Sequence, residues 1–190
     1  MIEIIFFGRG GQGAVTAAEA LATAAFLEGK HSQAFPNFSG ERRGAPVMAY
    51  ARIDEEHFVD RSRIIVADYV IVLDPNLLKT VNPLGSLKES GCGIVNTEGS
   101  AEDLQKEIGD TGKQIFCIDA SSISQEVYGK RPIPITNIAM LGAFAAVSGV
   151  IRMDSIMLAV DRYFSGEQGE KAKRTARMAC EEMGGARNSW

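Results

Sequence analysis

Apolar residues fall into two regimes along this chain. Up to about residue 135, short unbroken apolar runs alternate with stretches of helical period; beyond that point only the helical period remains. Residues 2–7 (IEIIFF) are β-branched and aromatic and stop at Gly8, which predicts a buried strand. Residues 14–28 carry Ala, Leu and Phe on nearly every face, as a helix pressed on a sheet would, and Gly29 is placed to cap it. Residues 46–53 (PVMAYARI) predict a second strand and 69–73 (YVIVL) a third, apolar throughout and therefore central. Asp74-Pro75 ends that strand and opens a short helix, and Pro83 and Gly85 begin another connection. Residues 92–96 (CGIVN) and 114–119 (QIFCID) predict a fourth and a fifth strand. Between them, Ser100 and Asp103 make a capping box for a helix with Leu104 and Ile108 on one face. Residues 136–149, 154–165 and 168–183 then read as helix, with breaks at Gly149, Gly166 and Gly184.

Strands alternating with helices, then a helical tail from about 136, predict an α/β fold: an open, mostly parallel sheet with helices on both faces. With 190 residues and 45% hydrophobic content, one domain over 1–190 is expected. There is no internal repeat, low-complexity segment or obvious linker.

Charge and composition narrow the partners. A net charge of −4 gives no basic footprint for nucleic acid. No apolar run has the length of a membrane span, and the start lacks a signal-peptide pattern, so a cytoplasmic protein is expected. Cys92, Cys117 and Cys180 are far apart in sequence and form no CxxC; with only His31 and His57 besides, no metal site is expected. Cys92 and Cys117 fall in predicted strands and read as packed thiols.

The chemistry concentrates in the turn after the first strand. Gly8-x-Gly10-x-x-Gly13 has the spacing of a dinucleotide fingerprint between strand and helix, where glycines permit close backbone approach and a helix N-terminus attracts an anion. The acidic residue that would hold a ribose is missing from GKHSQAFPNFSG (29–40), which argues against a nicotinamide or flavin. Ala14-Val15 stand where a P-loop needs Lys-Ser/Thr. The turn therefore binds a phosphate of another kind, or only packs helix on strand.

A second unusual stretch, FPNFSGERRGAP (35–46), sets Arg42 and Arg43 beside Phe35 and Phe38. Such a loop can clamp phosphates and stack a base, or carry an ordinary surface pair with Glu41. The basic run Lys171, Lys173, Arg174 and Arg177 is balanced by neighbouring glutamates and reads as a solvated or partner-facing helix side. Asp119 and Ser121-Ser122 follow a strand end, where helix capping explains them as well as catalysis. No nucleophile, base and orienting group assemble, so no catalytic residue is assigned and the chain reads as a binder.

Four segments together, GRGGQGAVTAAE, QAFPNFSGERRGAPVMAYARI, YVIVLDPNLL and TNIAMLGAFAAVSG, resemble the gamma subunit of 2-oxoacid:ferredoxin oxidoreductases over nearly the whole chain. The ERRGAPV segment is similar to the pyruvate and 2-ketoisovalerate branch; the 2-oxoglutarate type is expected to carry a GFGGQG turn and a different arginine loop. The resemblance implies a subunit, inactive alone, of an enzyme that decarboxylates a 2-oxoacid, transfers its acyl group to coenzyme A and reduces ferredoxin. It implies alpha, beta and delta partner subunits, or fused equivalents, that carry thiamine diphosphate, Mg and 4Fe-4S clusters. On that reading Gly8, Arg9, Gly10, Gly11, Gln12 and Gly13, with Phe35, Phe38, Arg42 and Arg43, face the phosphates and adenosine of coenzyme A. Arg42 and Arg43 take the phosphates, Gln12 hydrogen-bonds polar groups, and Phe35 or Phe38 stacks the adenine. Asn137 adds a contact or caps its own helix. Two other readings are a stand-alone nucleotide-binding α/β protein and a purely structural subunit; saturable affinity for coenzyme A or an adenine nucleotide separates a binder from a spacer.

Overall fold

The computed structural model describes residues 1–37, 45–109 and 111–187, the last three by backbone alone. Among these residues six strands form one sheet: β1 (Ile2–Arg9), β2 (His31–Asn37), β3 (Pro46–Asp54), β4 (Ala67–Val72), β5 (Leu87–Asn96) and β6 (Gln114–Ile118). Their order is β2-β3-β1-β4-β5-β6. β1, β4, β5 and β6 run parallel, while β3 pairs antiparallel with both β1 and β2. The sheet is thus mixed and mostly parallel, with the antiparallel pairings gathered at one edge.

Alternation along β1 divides the core. Ile4 and Phe6 point to one face, where they meet Ile71, Ile94 and α1 (Ala14–Leu27), α5 (Asn137–Ser148), α6 (Met153–Tyr163) and α7 (Gly166–Arg187). Ile5 and Phe7 point to the other, with Val70, Val72, Val95 and the leucines of α2 (Leu77–Thr80) and α3 (Ala101–Ile108). Both faces are covered, so the central strands are apolar on both sides. α5 is buried along most of its length between sheet and α7, which accounts for its lack of a polar side. Gly142 lets the two helices close up: a Cβ there would overlap the Ala176 carbonyl.

The structure corrects several sequence expectations. β2 was not predicted; each of its residues is only half-buried or exposed, and pairing with β3 makes it a strand. α4 (Ala120–Tyr128) is also additional, capped by Asp119, whose Oδ1 accepts the Ser122 N–H at 2.9 Å. β5 starts at Leu87, ahead of the apolar run, beside an irregularity between Ala67 and Tyr69. α7 continues through Gly184, which adopts helical backbone at a modest entropic penalty. Gly149, in contrast, ends α5 in the left-handed conformation.

Candidate functional site

The parallel strands all end at one edge of the sheet, and the turns that leave them line a cleft there. The β1–α1 turn contributes Arg9, Gly10 and Gln12, and the β4–α2 turn contributes Leu73, Asp74, Pro75 and Asn76. Asn96 comes from the end of β5, Ser121 from the start of α4, and Pro132, Ile133 and Pro134 from the segment before α5. The cleft holds about 280 Å³. Its lining is divided: Pro132, Ile133 and Pro134 form an apolar wall, and the floor carries three amides, a hydroxyl, the Asp74 carboxylate and the Arg9 guanidinium.

The glycine turn is held from within. Gly11 and Gly13 have φ of +98° and +80°, which L side chains rarely adopt. Gly8 sits closely packed: a Cβ would stand 3.3 Å from that of Ala14, 3.4 Å from Gln12 Oε1 and 3.6 Å from the Cβ of Leu73, where helix and sheet close together. The Arg9 N–H donates to Gln12 Oε1 at 2.8 Å and the Gln12 N–H to the Arg9 carbonyl at 3.0 Å. The Gly10 N–H donates to the Ala45 carbonyl at 3.1 Å, tying the turn to the start of β3.

Asp74 organises the floor. Its Oδ2 accepts from Arg9 Nε at 2.8 Å and Gln12 Nε2 at 3.3 Å; its Oδ1 accepts from the N–H and the Nδ2 of Asn76, each at 2.9 Å. Beside it, the buried Asn96 donates to the Leu73 carbonyl at 2.8 Å and bonds Ser121 Oγ at 3.0 Å. An adjoining groove over Asn96 and Ser121 is bordered by Glu98 and Asp119.

The expected site residues part ways, with Gly8, Gly11 and Gly13 shaping the turn itself. Arg9, Gly10 and Gln12 line the cleft. Asn137 is 4% exposed, donates to the Gly13 carbonyl at 3.5 Å and accepts the Ile138 N–H, so it joins α5 to the turn. Phe35 does not line the cleft; its ring packs on Tyr50, 5.2 Å between centroids, under the guanidinium of the buried Arg52. Phe38, Arg42 and Arg43 lie outside the described residues; the strands on either side of them, ending at Asn37 and starting at Pro46, meet the cleft's edge of the sheet. Sequence reasoning passed over Asp74, Asn76, Asn96 and Pro132–Pro134. The available signal is the Asp-Pro pair that ends the strand and opens a short helix, a reading that gives its carboxylate no part in the site.

Chemically the cleft can bind and orient. Its hydroxyl, Ser121, is hydrogen-bonded to Asn96, and His31 and His57 stack edge to face at the other end of β2. Burial pushes the Cys92 thiol up to about 12 and Cys117 to about 11, far from a reactive thiolate. Among the described residues no three His, Cys, Asp or Glu side chains group to hold a metal ion, and no helix is long and apolar enough to cross a membrane.

Comparison with known proteins adds the lineage. Residues 3–182 match the family described as pyruvate ferredoxin/flavodoxin oxidoreductase. The chain is 50% identical over 182 residues to the pyruvate/ketoisovalerate oxidoreductases common subunit gamma of Pyrococcus abyssi, covering 96% of this chain and 97% of that one. It is 49% identical over 183 residues to pyruvate synthase subunit PorC of Methanocaldococcus jannaschii, covering 96% and 97%. The crystal structure of pyruvate oxidoreductase subunit PORC from Thermotoga maritima superposes with a TM-score of 0.81 at 34% identity, over 95% of both chains.

Proposed function

The chain belongs to the pyruvate ferredoxin/flavodoxin oxidoreductase family as a gamma-type subunit, and from that premise we propose that it helps bind coenzyme A in a multi-subunit 2-oxoacid:ferredoxin oxidoreductase. The assembled enzyme decarboxylates pyruvate or 2-ketoisovalerate, transfers the acyl group to coenzyme A and passes two electrons to ferredoxin. The observation that supports the subunit role is correspondence at about half identity, over 96% of this chain and 97% of each relative, with proteins named as oxidoreductase subunit gamma and pyruvate synthase subunit PorC.

The reading leaves thiamine diphosphate with its magnesium ion and the 4Fe-4S clusters outside this chain, whose described residues group no three His, Cys, Asp or Glu side chains. It assigns these cofactors to the alpha, beta and delta subunits or fused equivalents, with ferredoxin docking on the complex; the isolated chain is inactive. Its own contribution is the cleft. The apolar wall at Pro132–Pro134 and the polar floor suit a ligand that is part hydrocarbon and part hydrogen-bonding, as coenzyme A is. Arg42 and Arg43, between β2 and β3 in sequence, take the phosphates, and Phe38 supplies the ring for the adenine. Phe35, packed on Tyr50, supports the strand that precedes these residues.

Replacing Arg42 and Arg43 together by alanine in the assembled enzyme tests this reading. The KM for coenzyme A should rise several-fold with the KM for the 2-oxoacid unchanged. A rise confined to the 2-oxoacid would refute it.

A further inference from the structure

The Asp74 carboxylate is 8% exposed and accepts four hydrogen bonds, two on each oxygen. A carboxylate offers about four lone-pair positions, so Asp74 has none left for a ligand. What it holds is informative. One oxygen fixes Asn76, two residues on, in the turn it belongs to. The other reaches across the sheet edge to Arg9 and Gln12, more than sixty residues earlier in the chain.

We propose that Asp74 is a positioning residue for the coenzyme A site, acting through Gln12 and Arg9 on the glycine turn. The inference rests on the coenzyme A reading above. The link is continuous: Asp74 holds the Gln12 amide by its Nε2, and the same amide's Oε1 holds the Arg9 N–H. A turn with glycines at 8, 10, 11 and 13 has many backbone conformations to lose, and a ligand that must order it binds more weakly. Fixing one amide plane and one guanidinium from a buried anion in the turn after the neighbouring strand orders the glycine turn before the ligand arrives. The competing role for Asp74 is local, as the acceptor that shapes the β4–α2 turn through Asn76.

Asp74→Asn separates the two. It removes the charge and, because both oxygens face donors, sets its NH₂ against Arg9 and Gln12 or, flipped, against Asn76; exchange at the two peptides shows which bonds are lost. The experiment compares hydrogen exchange of peptides covering 8–13 and 74–80 in the assembled oxidoreductase, together with the KM for coenzyme A and for the 2-oxoacid. Exchange at 8–13 should quicken about tenfold, and the KM for coenzyme A should rise roughly five- to tenfold, as expected for loss of charge-assisted bonds. The 2-oxoacid KM and kcat should stay within about twofold. Gln12→Ala should reproduce the faster exchange at 8–13 and leave 74–80 unchanged; it also decides the matter if the Asp74→Asn variant does not assemble. Exchange at 8–13 that stays unchanged in the Gln12→Ala variant overturns the positioning role. Faster exchange at 8–13 with an unmoved KM for coenzyme A overturns instead the ligand reading on which it rests.

Discussion

A Cβ built on Gly13 would lie 2.5 Å from the Nδ2 of Asn137. The cap of α1 and the first residue of α5 are therefore in direct contact, and the long apolar helix enters the core from the rim of the cleft. Gly13→Ala combines this clash with a φ of +80° and should destabilise the chain by about 2 kcal/mol or more. Urea unfolding monitored by circular dichroism measures it; an unchanged midpoint would mean that the turn relaxes freely.

Two other glycines should respond in opposite directions. A Cβ at Gly142 overlaps backbone of α7, so Gly142→Ala must push α5 and α7 apart, with a loss of about 3 kcal/mol or failure to fold. Gly184 has open space and helical backbone, so Gly184→Ala should stabilise α7 by up to about 1 kcal/mol. Melting temperatures of both variants test the pair.

Much of this architecture is legible in the residues. IEIIFF, YVIVL and GIVN are apolar on both faces because both faces of the central sheet are covered, and unbroken apolar runs report that directly. β2 has no such signature. HSQAFPN lies at the sheet edge, and a half-buried edge strand containing proline becomes a strand through its partner rather than its pattern. The same distinction governs the site. Gly8–Gly13 announces itself by spacing, but the carboxylate that holds the turn comes from Asp74, and no local pattern encodes contact between residues so distant in sequence.

Acid should loosen the junction of α1 and α6. Burial alone would raise the Glu28 carboxyl, but hydrogen bonds from the Arg152 N–H at 2.7 Å, from Ser155 and from Lys30 outweigh it and hold it below the ordinary 4.5. The folded state then binds this proton more weakly than the unfolded one. Its contribution is complete above 4.5 and disappears as the pH falls through the lowered value. Wild type should exceed Glu28→Gln in urea midpoint at neutral pH, with the gap closing as the pH falls below 4.5. A gap independent of pH would refute the assignment.

The thiols should divide by burial. Cys92 and Cys117, raised to about 12 and about 11, should resist iodoacetamide in the native chain near pH 8 and react on unfolding. Mass spectrometry of labelled peptides reads the outcome. Native labelling of Cys92 at the rate of a free thiol would contradict its place in the core.

The central claim is membership in a working complex, and anaerobic purification of the tagged chain from its native cells tests it most directly. The account predicts stoichiometric co-elution of subunits carrying thiamine diphosphate and iron–sulfur clusters, with ferredoxin reduction that depends on both a 2-oxoacid and coenzyme A. A chain that elutes alone, or a complex whose 2-oxoacid oxidation is indifferent to coenzyme A, would contradict it.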